Sequence, residues 1–213
     1  MDGFTCRDLV LATGGTLLMG KEDTPIRHIS LDSRKMEGED LFVPIIGENV
    51  DAHGFLCQAI GNGAAAVFTS RHRRPEEVRA DILKQCGEDV SRMEAAMSAA
   101  WIGVEDTRQA LQDFGIYCRG RQKLPLVGIT GSVGKTTTRE MVAAALSAGF
   151  TVYKTPGNSN SQVGVPITIA AIPKQAQIGV IELGMSEPGE MTKIARIARV
   201  DCAVMTNIGV THI

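Results

Sequence analysis

Lys135 and Thr136, with the glycines before them, have the types and spacing to bind a triphosphate. The stretch Gly128-Ile129-Thr130-Gly131-Ser132-Val133-Gly134-Lys135-Thr136-Thr137-Thr138 follows an apolar run, Leu124–Val127, and precedes a helix-like segment, Arg139–Ser147. Strand, Gly-rich turn, Lys-Thr and helix is the order of a phosphate-binding loop. Backbone N–H groups of Gly131, Ser132, Val133, Gly134, Lys135, Thr136 and Thr137 can then surround phosphate oxygens at a helix N-terminus. Lys135 would add a point charge for the β- and γ-phosphates, and the Thr136 hydroxyl a ligand for Mg²⁺. The common spelling G-x-x-x-x-G-K-[ST] would place glycine at 129, where this chain has Ile129. The variant T-G-S-x-G-K-T-T is rarer and points to a narrower group of proteins.

Other polar residues fall at the ends of apolar runs. Glu182 closes Ile178–Glu182, where a carboxylate beside a phosphate loop is well placed to hold Mg²⁺; the alternative is a solvated strand-end acid. Asn158 and Asn160 lie in the polar loop Pro156–Gln162, as substrate contacts or as turn formers. His212 follows the run Val204–Ile208 and could bind a metal or touch phosphate, or face solvent. Asp32-Ser33-Arg34 offers a planar guanidinium for phosphate, or a capped turn. Asn49-Val50-Asp51-Ala52-His53 is similarly polar and loop-like.

These residues need elements to position them. From Lys123 onward, strands at 124–130, 151–155, 178–183 and 202–207 alternate with helices at 135–147, 164–172 and 188–199. That alternation means βαβ units and a parallel sheet. Pro188 is expected in the first turn of its helix. Residues 1–122 read as a separate α/β block. A helix at 5–13 has Thr5 and Asp8 in capping-box spacing, and strands are expected at 16–19, 28–31, 40–44, 64–69 and 101–104. Helical spacing covers 54–61, 75–100 and the segment from 106 to 119. The expected fold class is α/β: a small α/β recognition domain, 1–122, then a phosphate-loop parallel-sheet ATPase domain, 123–213. Four parallel strands are few for such a sheet, so the second domain is expected to be cut short at Ile213.

Composition excludes several classes. A net charge of −2 and 4% aromatics argue against nucleic-acid binding. The basic cluster Arg71–Arg74 runs straight into acids and reads as a solvated turn. No run approaches the roughly 18 apolar residues of a membrane helix, and the N-terminus shows no secretory signal. The five cysteines are scattered and odd in number, as expected of buried free thiols in a reducing, cytoplasmic compartment.

Taken together, these segments resemble the Mur ligases of peptidoglycan synthesis. The matching pieces are Asp32-Ser33-Arg34, Gly38–Val43, Gly47–His53, Gly128–Thr137, Thr155–Asn160 with Gly164–Pro166, Glu182–Glu190 and Asn207–His212. The Gly-Asn-x-Asn loop and Glu-Leu-Gly-Met-x-x-Pro-Gly-Glu resemble the member that adds D-alanyl-D-alanine to UDP-N-acetylmuramoyl-tripeptide. That resemblance implies ATP-dependent amide formation through an acyl phosphate, with ATP and Mg²⁺ as cofactors. It implies catalytic roles for Lys135, Glu182 and His212, and metal ligation by Thr136, Glu182 and His212. It also implies substrate contacts from Asp32, Ser33, Arg34, Asn49, His53, Asn158 and Asn160. The sequence departs from the family at Asn160-Ser161, usually Asn-Asn, and is longer than expected across 71–100. The family's carboxylated lysine and third domain would lie beyond Ile213. The chain alone is therefore expected to lack ligase activity and to self-associate through an exposed sheet edge. Two other readings stand beside this one: a folylpolyglutamate synthase-like ligase, and a fragment that binds nucleotide or UDP-sugar without ligating.

Overall fold

The computed structural model describes residue 1 and residues 3–209; His212, expected as a metal ligand, lies outside them. The chain forms two compact units, Met1–Leu111 and Gln112–Ile213. This division falls inside a helix, upstream of the composition break at Lys123.

The first unit runs β1 (Phe4–Thr5), α1 (Cys6–Thr13), β2 (Thr16–Met19), β3 (Pro25–Ile26), β4 (His28–Ser30), β5 (Asp40–Phe42), a 3-10 turn (Ala52–Phe55), α2 (Leu56–Gly61), β6 (Ala64–Thr69), α3 (Pro75–Cys86), α4 (Val90–Ser98), β7 (Ala100–Gly103) and the start of α5 (Thr107–Arg121). The Thr5 backbone N–H donates to the Asp8 carboxylate at 3.0 Å, so the capping box forms and starts α1. The five-stranded sheet has order β2-β7-β6-β5-β4. Strands β4 to β7 are parallel, and β2 joins the edge antiparallel. Trp101 of β7 is fully buried, its indole N–H donating to Ala96 O at 2.9 Å. Strands β1 and β3 form a separate antiparallel ribbon. Each is too short for a two-residue period to show, so sequence pattern misses them.

The expected helical stretch 75–100 is two helices and the start of a strand. Asp89 accepts from the Arg92 backbone N–H at 3.0 Å and so starts a second helix of its own. Strand β5 ends at Phe42, two residues before Pro44, whose nitrogen has no proton for a ladder bond. In the basic cluster Arg71 is exposed, but His72 is buried.

The second unit continues α5 into β8 (Leu126–Thr130), α6 (Lys135–Leu146), β9 (Val152–Lys154), α7 (Gly164–Ala170), β10 (Ile178–Glu182), α8 (Glu190–Ala198) and β11 (Cys202–Met205). All strands are parallel, in the order β11-β8-β10-β9. Val180 and Ile181 of β10 are fully buried, as a central parallel strand requires. Buried Arg119 of α5 donates to Ala198 O at 3.0 Å, to Arg199 O at 3.1 Å and to the Asp201 carboxylate at 3.1 Å. Asp201 also accepts from the Leu126 N–H at 2.8 Å, so one ion pair fixes α5, the end of α8 and the start of β8.

Pro188 is not in the first turn of α8, which begins at Glu190 after Gly189. The Glu190 carboxylate accepts from the N–H groups of Ser186 at 2.6 Å and Glu187 at 3.0 Å, folding 186–189 back on the helix start. Those N–H bonds, the Ser186 one foremost, hold the Glu190 carboxyl below the usual range. Four cysteines are buried as expected; Cys202 is exposed. Among the described residues no helix is long and apolar enough to cross a membrane.

Candidate active site

The carboxyl ends of β8, β9, β10 and β11 carry every described polar residue singled out in the second unit. The chain leaves β8 for β9 and β10 on one side and returns through β11 on the other. A crevice at such a switch point is where open parallel sheets bind ligands. A cavity of about 470 Å³ opens there, between Thr130–Lys135, Met185–Met191 and Met205–Gly209.

The loop 131–134 is tightly wound. Gly131 has φ +132, and a Cβ built on it would overlap the Thr206 hydroxyl and lie 3.0 Å from the Asn207 nitrogen. Gly134, at φ +82, caps α6. The N–H groups of Lys135, Thr136 and Thr137 then begin a helix and have no partner within it, so they face the crevice side of the helix start as anion donors. Two other expected phosphate donors are already engaged. Ser132 N–H donates to Asn207 O at 3.1 Å, and Val133 N–H to Asn207 Oδ1 at 3.0 Å. Thr206 Oγ1 donates to Val133 O at 2.6 Å. The segment after β11 thus staples the loop from outside. Asn207 appeared in the sequence only as part of a motif, with no charge or spacing to single it out.

Lys135 curls over its own loop, its Nζ donating to Gly131 O at 2.8 Å and Ser132 O at 3.3 Å. Phosphate oxygens placed at the loop would exchange with these carbonyls.

Glu182 is 1% exposed, so its carboxylate must be paired. Thr136 Oγ1 donates to Oε2 at 3.1 Å, Arg139 Nη1 to the same oxygen at 3.2 Å, and Asn160 Nδ2 to Oε1 at 2.8 Å. The Glu182 backbone N–H donates to buried Thr155 Oγ1 at 2.9 Å. The solvated alternative for Glu182 therefore fails. Arg139 was read only as the start of a helix; nothing in its spacing marks it as a partner for residue 182. Asn158 is exposed, its carbonyl accepting from the Asn160 N–H at 2.8 Å, and its side chain makes no bond to Glu182.

These donors fit a divalent cation. Thr136 and Glu182 are hard oxygen ligands within hydrogen-bond reach of each other. Among the described residues no group of three or more His, Cys, Asp and Glu could hold a metal by itself. One carboxylate plus a hydroxyl suits Mg²⁺, which keeps waters and takes its other ligands from phosphates.

The remaining expected site residues lie in the first unit. Asp32 binds Arg34 through Nε at 2.8 Å and Nη2 at 2.9 Å, and also accepts from the Arg34 N–H at 3.1 Å. Arg34 holds the Asp32 carboxyl down at about 2. The guanidinium is 76% exposed, so its outer face is open to solvent. Ser33 Oγ donates to Gln58 Oε1 at 3.0 Å, and Asn49 is exposed. His53 is buried: Nδ1 meets Asp51 Oδ1 at 2.6 Å, and Nε2 accepts from the Ser70 N–H at 3.1 Å, with Ser70 Oγ at 3.2 Å. Asp51, His53 and Ser70 have the order of a proton relay. The ring's lone pair, however, already serves a backbone N–H: Nε2 holds the loop after β6, and Nδ1 is taken up by Asp51. Burial would raise the Asp51 pKa, but its bonds to His53 outweigh burial and lower it.

A parallel-sheet α/β unit with a phosphate-binding loop and a facing buried carboxylate defines the class. Sequence comparison gives the family. Residues 129–213 match the Mur ligase middle domain, and residues 25–116 match the domain described as "Mur ligase family, catalytic domain". The UDP-N-acetylmuramoyl-tripeptide–D-alanyl-D-alanine ligase of Bacillus subtilis is 37% identical over 210 residues, 98% of this chain and 42% of the relative. That of Treponema pallidum is 39% identical over 186 residues, 87% of this chain and 38% of its own. A crystal structure of MurF from Acinetobacter baumannii superposes with TM-score 0.81 at 32% identity, covering 98% of this chain and 42% of that one. MurF from Thermotoga maritima in complex with ADP gives 0.69 at 31% identity, covering 90% and 40%. The chain belongs to the Mur ligase family. It spans about two fifths of the length of the curated relatives it matches.

Proposed function

We propose that this chain supplies the substrate-recognition and nucleotide-binding parts of an ATP-dependent amide ligase. The ligase joins D-alanyl-D-alanine to UDP-N-acetylmuramoyl-tripeptide in peptidoglycan precursor synthesis. The observation that carries this is the pairing of Thr136 at the phosphate loop with buried Glu182 on the adjacent strand, inside a family whose named relatives catalyse that ligation. Residues 123–213 would hold the nucleotide, and residues 1–122 the UDP-muramoyl end through Asp32, Ser33, Arg34 and Asn49; buried His53, with both ring nitrogens bonded, would hold the loops beside them rather than touch substrate.

In the reaction the tripeptide carboxylate attacks the γ-phosphorus of ATP, and ADP leaves with the bonding electrons. The D-alanyl-D-alanine amine then attacks the acyl carbon of the acyl phosphate, loses a proton and expels phosphate. Positioning and charge neutralisation dominate such a transfer. Lys135 swings from its loop carbonyls to the β- and γ-phosphates. The N–H groups of residues 134–137 orient them. Thr136 and Glu182 would hold Mg²⁺, and His212 would hold a second ion. Mg²⁺ supplies neutralisation of the phosphate oxygens. Asn160 keeps Glu182 aimed at the crevice, and exposed Asn158 would contact the substrate.

The substrates and the four buried thiols suit the cytoplasm, and loss of the activity would disturb cell shape and division. The β11 edge, with Val204, Met205 and Ile208 exposed, supports self-association of this chain. Calorimetry with UDP-N-acetylmuramoyl-tripeptide tests the recognition role. Binding that weakens in Arg34→Ala is expected; a folded chain that binds nothing at millimolar ligand contradicts it.

A further inference from the structure

Phosphate-loop chemistry gives Arg139 no role, yet the fold buries it at 5% exposure one turn along α6 from Thr136. Its Nη1 donates to Gly157 O at 2.7 Å and to Glu182 Oε2 at 3.2 Å. Nε and Nη2 donate to Glu140 Oε1 at 3.2 and 2.7 Å, and Glu140 pairs onward with Lys154 of β9. The guanidinium stays charged at any accessible pH. The carboxylate through which a cation would bind therefore carries a fixed counter-charge on one of its two oxygens.

This has an electrostatic consequence. A free divalent cation approaching Glu182 meets a carboxylate already paired with Arg139 and a hydroxyl, with a buried positive charge alongside; the second acid nearby, Glu140, is itself taken up by Arg139 and Lys154. Repulsion between such charges is strong in a site screened from water. Phosphate oxygens brought to the same crevice reverse the balance, since they attract both the cation and the loop.

Building on the nucleotide reading above, we propose that Arg139 is a positioning residue. It keeps Glu182 from holding a free divalent cation and lets Glu182 accept one only together with nucleotide phosphates. The same guanidinium ties the 155–160 loop, through the Gly157 carbonyl, to the helix that begins at the phosphate loop.

The test uses Mn²⁺ as probe, its free signal read by electron paramagnetic resonance, on this chain with and without ADP. Wild type should leave the free signal intact with Mn²⁺ alone and, when ADP is added, deplete it beyond a protein-free Mn²⁺–ADP control. Arg139→Gln should bind Mn²⁺ without nucleotide about tenfold or more tightly than wild type. Arg139→Lys keeps the charge and should behave as wild type. A purely structural role would not separate Gln from Lys in this readout. Wild type that captures Mn²⁺ equally well without ADP overturns the inference alone. So does a folded Arg139→Gln with unchanged Mn²⁺ affinity, or a Lys variant that matches Gln. If the Gln variant does not fold, the wild-type comparison and the Lys variant decide. Wild type that binds neither Mn²⁺ nor Mn²⁺–ADP contradicts the nucleotide reading and overturns this inference with it.

Discussion

Gly131 and Thr206 approach so closely that a single added Cβ on the glycine would overlap the threonine hydroxyl. That hydroxyl donates to Val133 O, so the contact joins the phosphate loop to the segment following β11. Gly131→Ala meets both this overlap and a φ of +132, a backbone conformation that side-chain-bearing residues rarely adopt. It should cost about 1–3 kcal/mol in stability and abolish nucleotide binding. Gly134→Ala meets no atom within 4 Å and only the φ of +82, so about 1–2 kcal/mol is expected. Urea denaturation with ADP calorimetry on both variants checks the order; equal effects would show that the Thr206 contact does not matter.

Asp32 and Arg34 form an exposed bidentate pair, and Arg34 is the reason the Asp32 carboxyl sits near 2. A ¹³C NMR titration should find Asp32 ionised well below the ordinary carboxylate value of 3.8. In Arg34→Ala its midpoint should return toward 3.8. An unchanged midpoint would mean the pair does not persist in solution, and Arg34 would then be free rather than preset.

His72 sets a pH limit on the first unit. Burial lowers its pKa, while Asp81 pulls the other way and does not prevail. The folded state keeps the neutral ring, with Nδ1 at 2.7 Å from Thr69 Oγ1 and the ring edge-on to Trp101. Stability is therefore complete above the ordinary value of 6.5 and declines as pH falls from there through the lowered folded value. The slope from this one group cannot exceed about 1.4 kcal/mol per pH unit. Urea midpoints measured downward from neutral pH should fall in wild type and flatten in His72→Gln; parallel curves would remove His72 as the cause.

The parts of this molecule written in local pattern were legible in the sequence. The capping box at Thr5, the glycine-rich turn between β8 and α6 and the strand–helix alternation after Lys123 follow from local spacing. The contacts that assemble the site were not. Arg139 and Glu182 are 43 positions apart, and Val133 and Asn207 are 74 apart. Nothing in either residue's neighbourhood reports such a partner. Ser132 and Val133 looked like phosphate donors because the loop sequence is seen without the segment that engages their N–H groups. Pro188 was misplaced because the Glu190 carboxylate, not the proline, sets where α8 begins.

The central claim is that residues 131–137 bind a metal–nucleotide complex, and calorimetry with ADP and Mg²⁺ tests it most directly. Wild-type chain should bind ADP with saturation only when Mg²⁺ is present. Lys135→Ala, which removes the one charge the loop provides, should weaken that binding by about tenfold or more, the effect of losing about 1.4 kcal/mol of charge-assisted contact. A folded Lys135→Ala chain that binds ADP–Mg²⁺ as wild type does would place the nucleotide elsewhere and contradict the account.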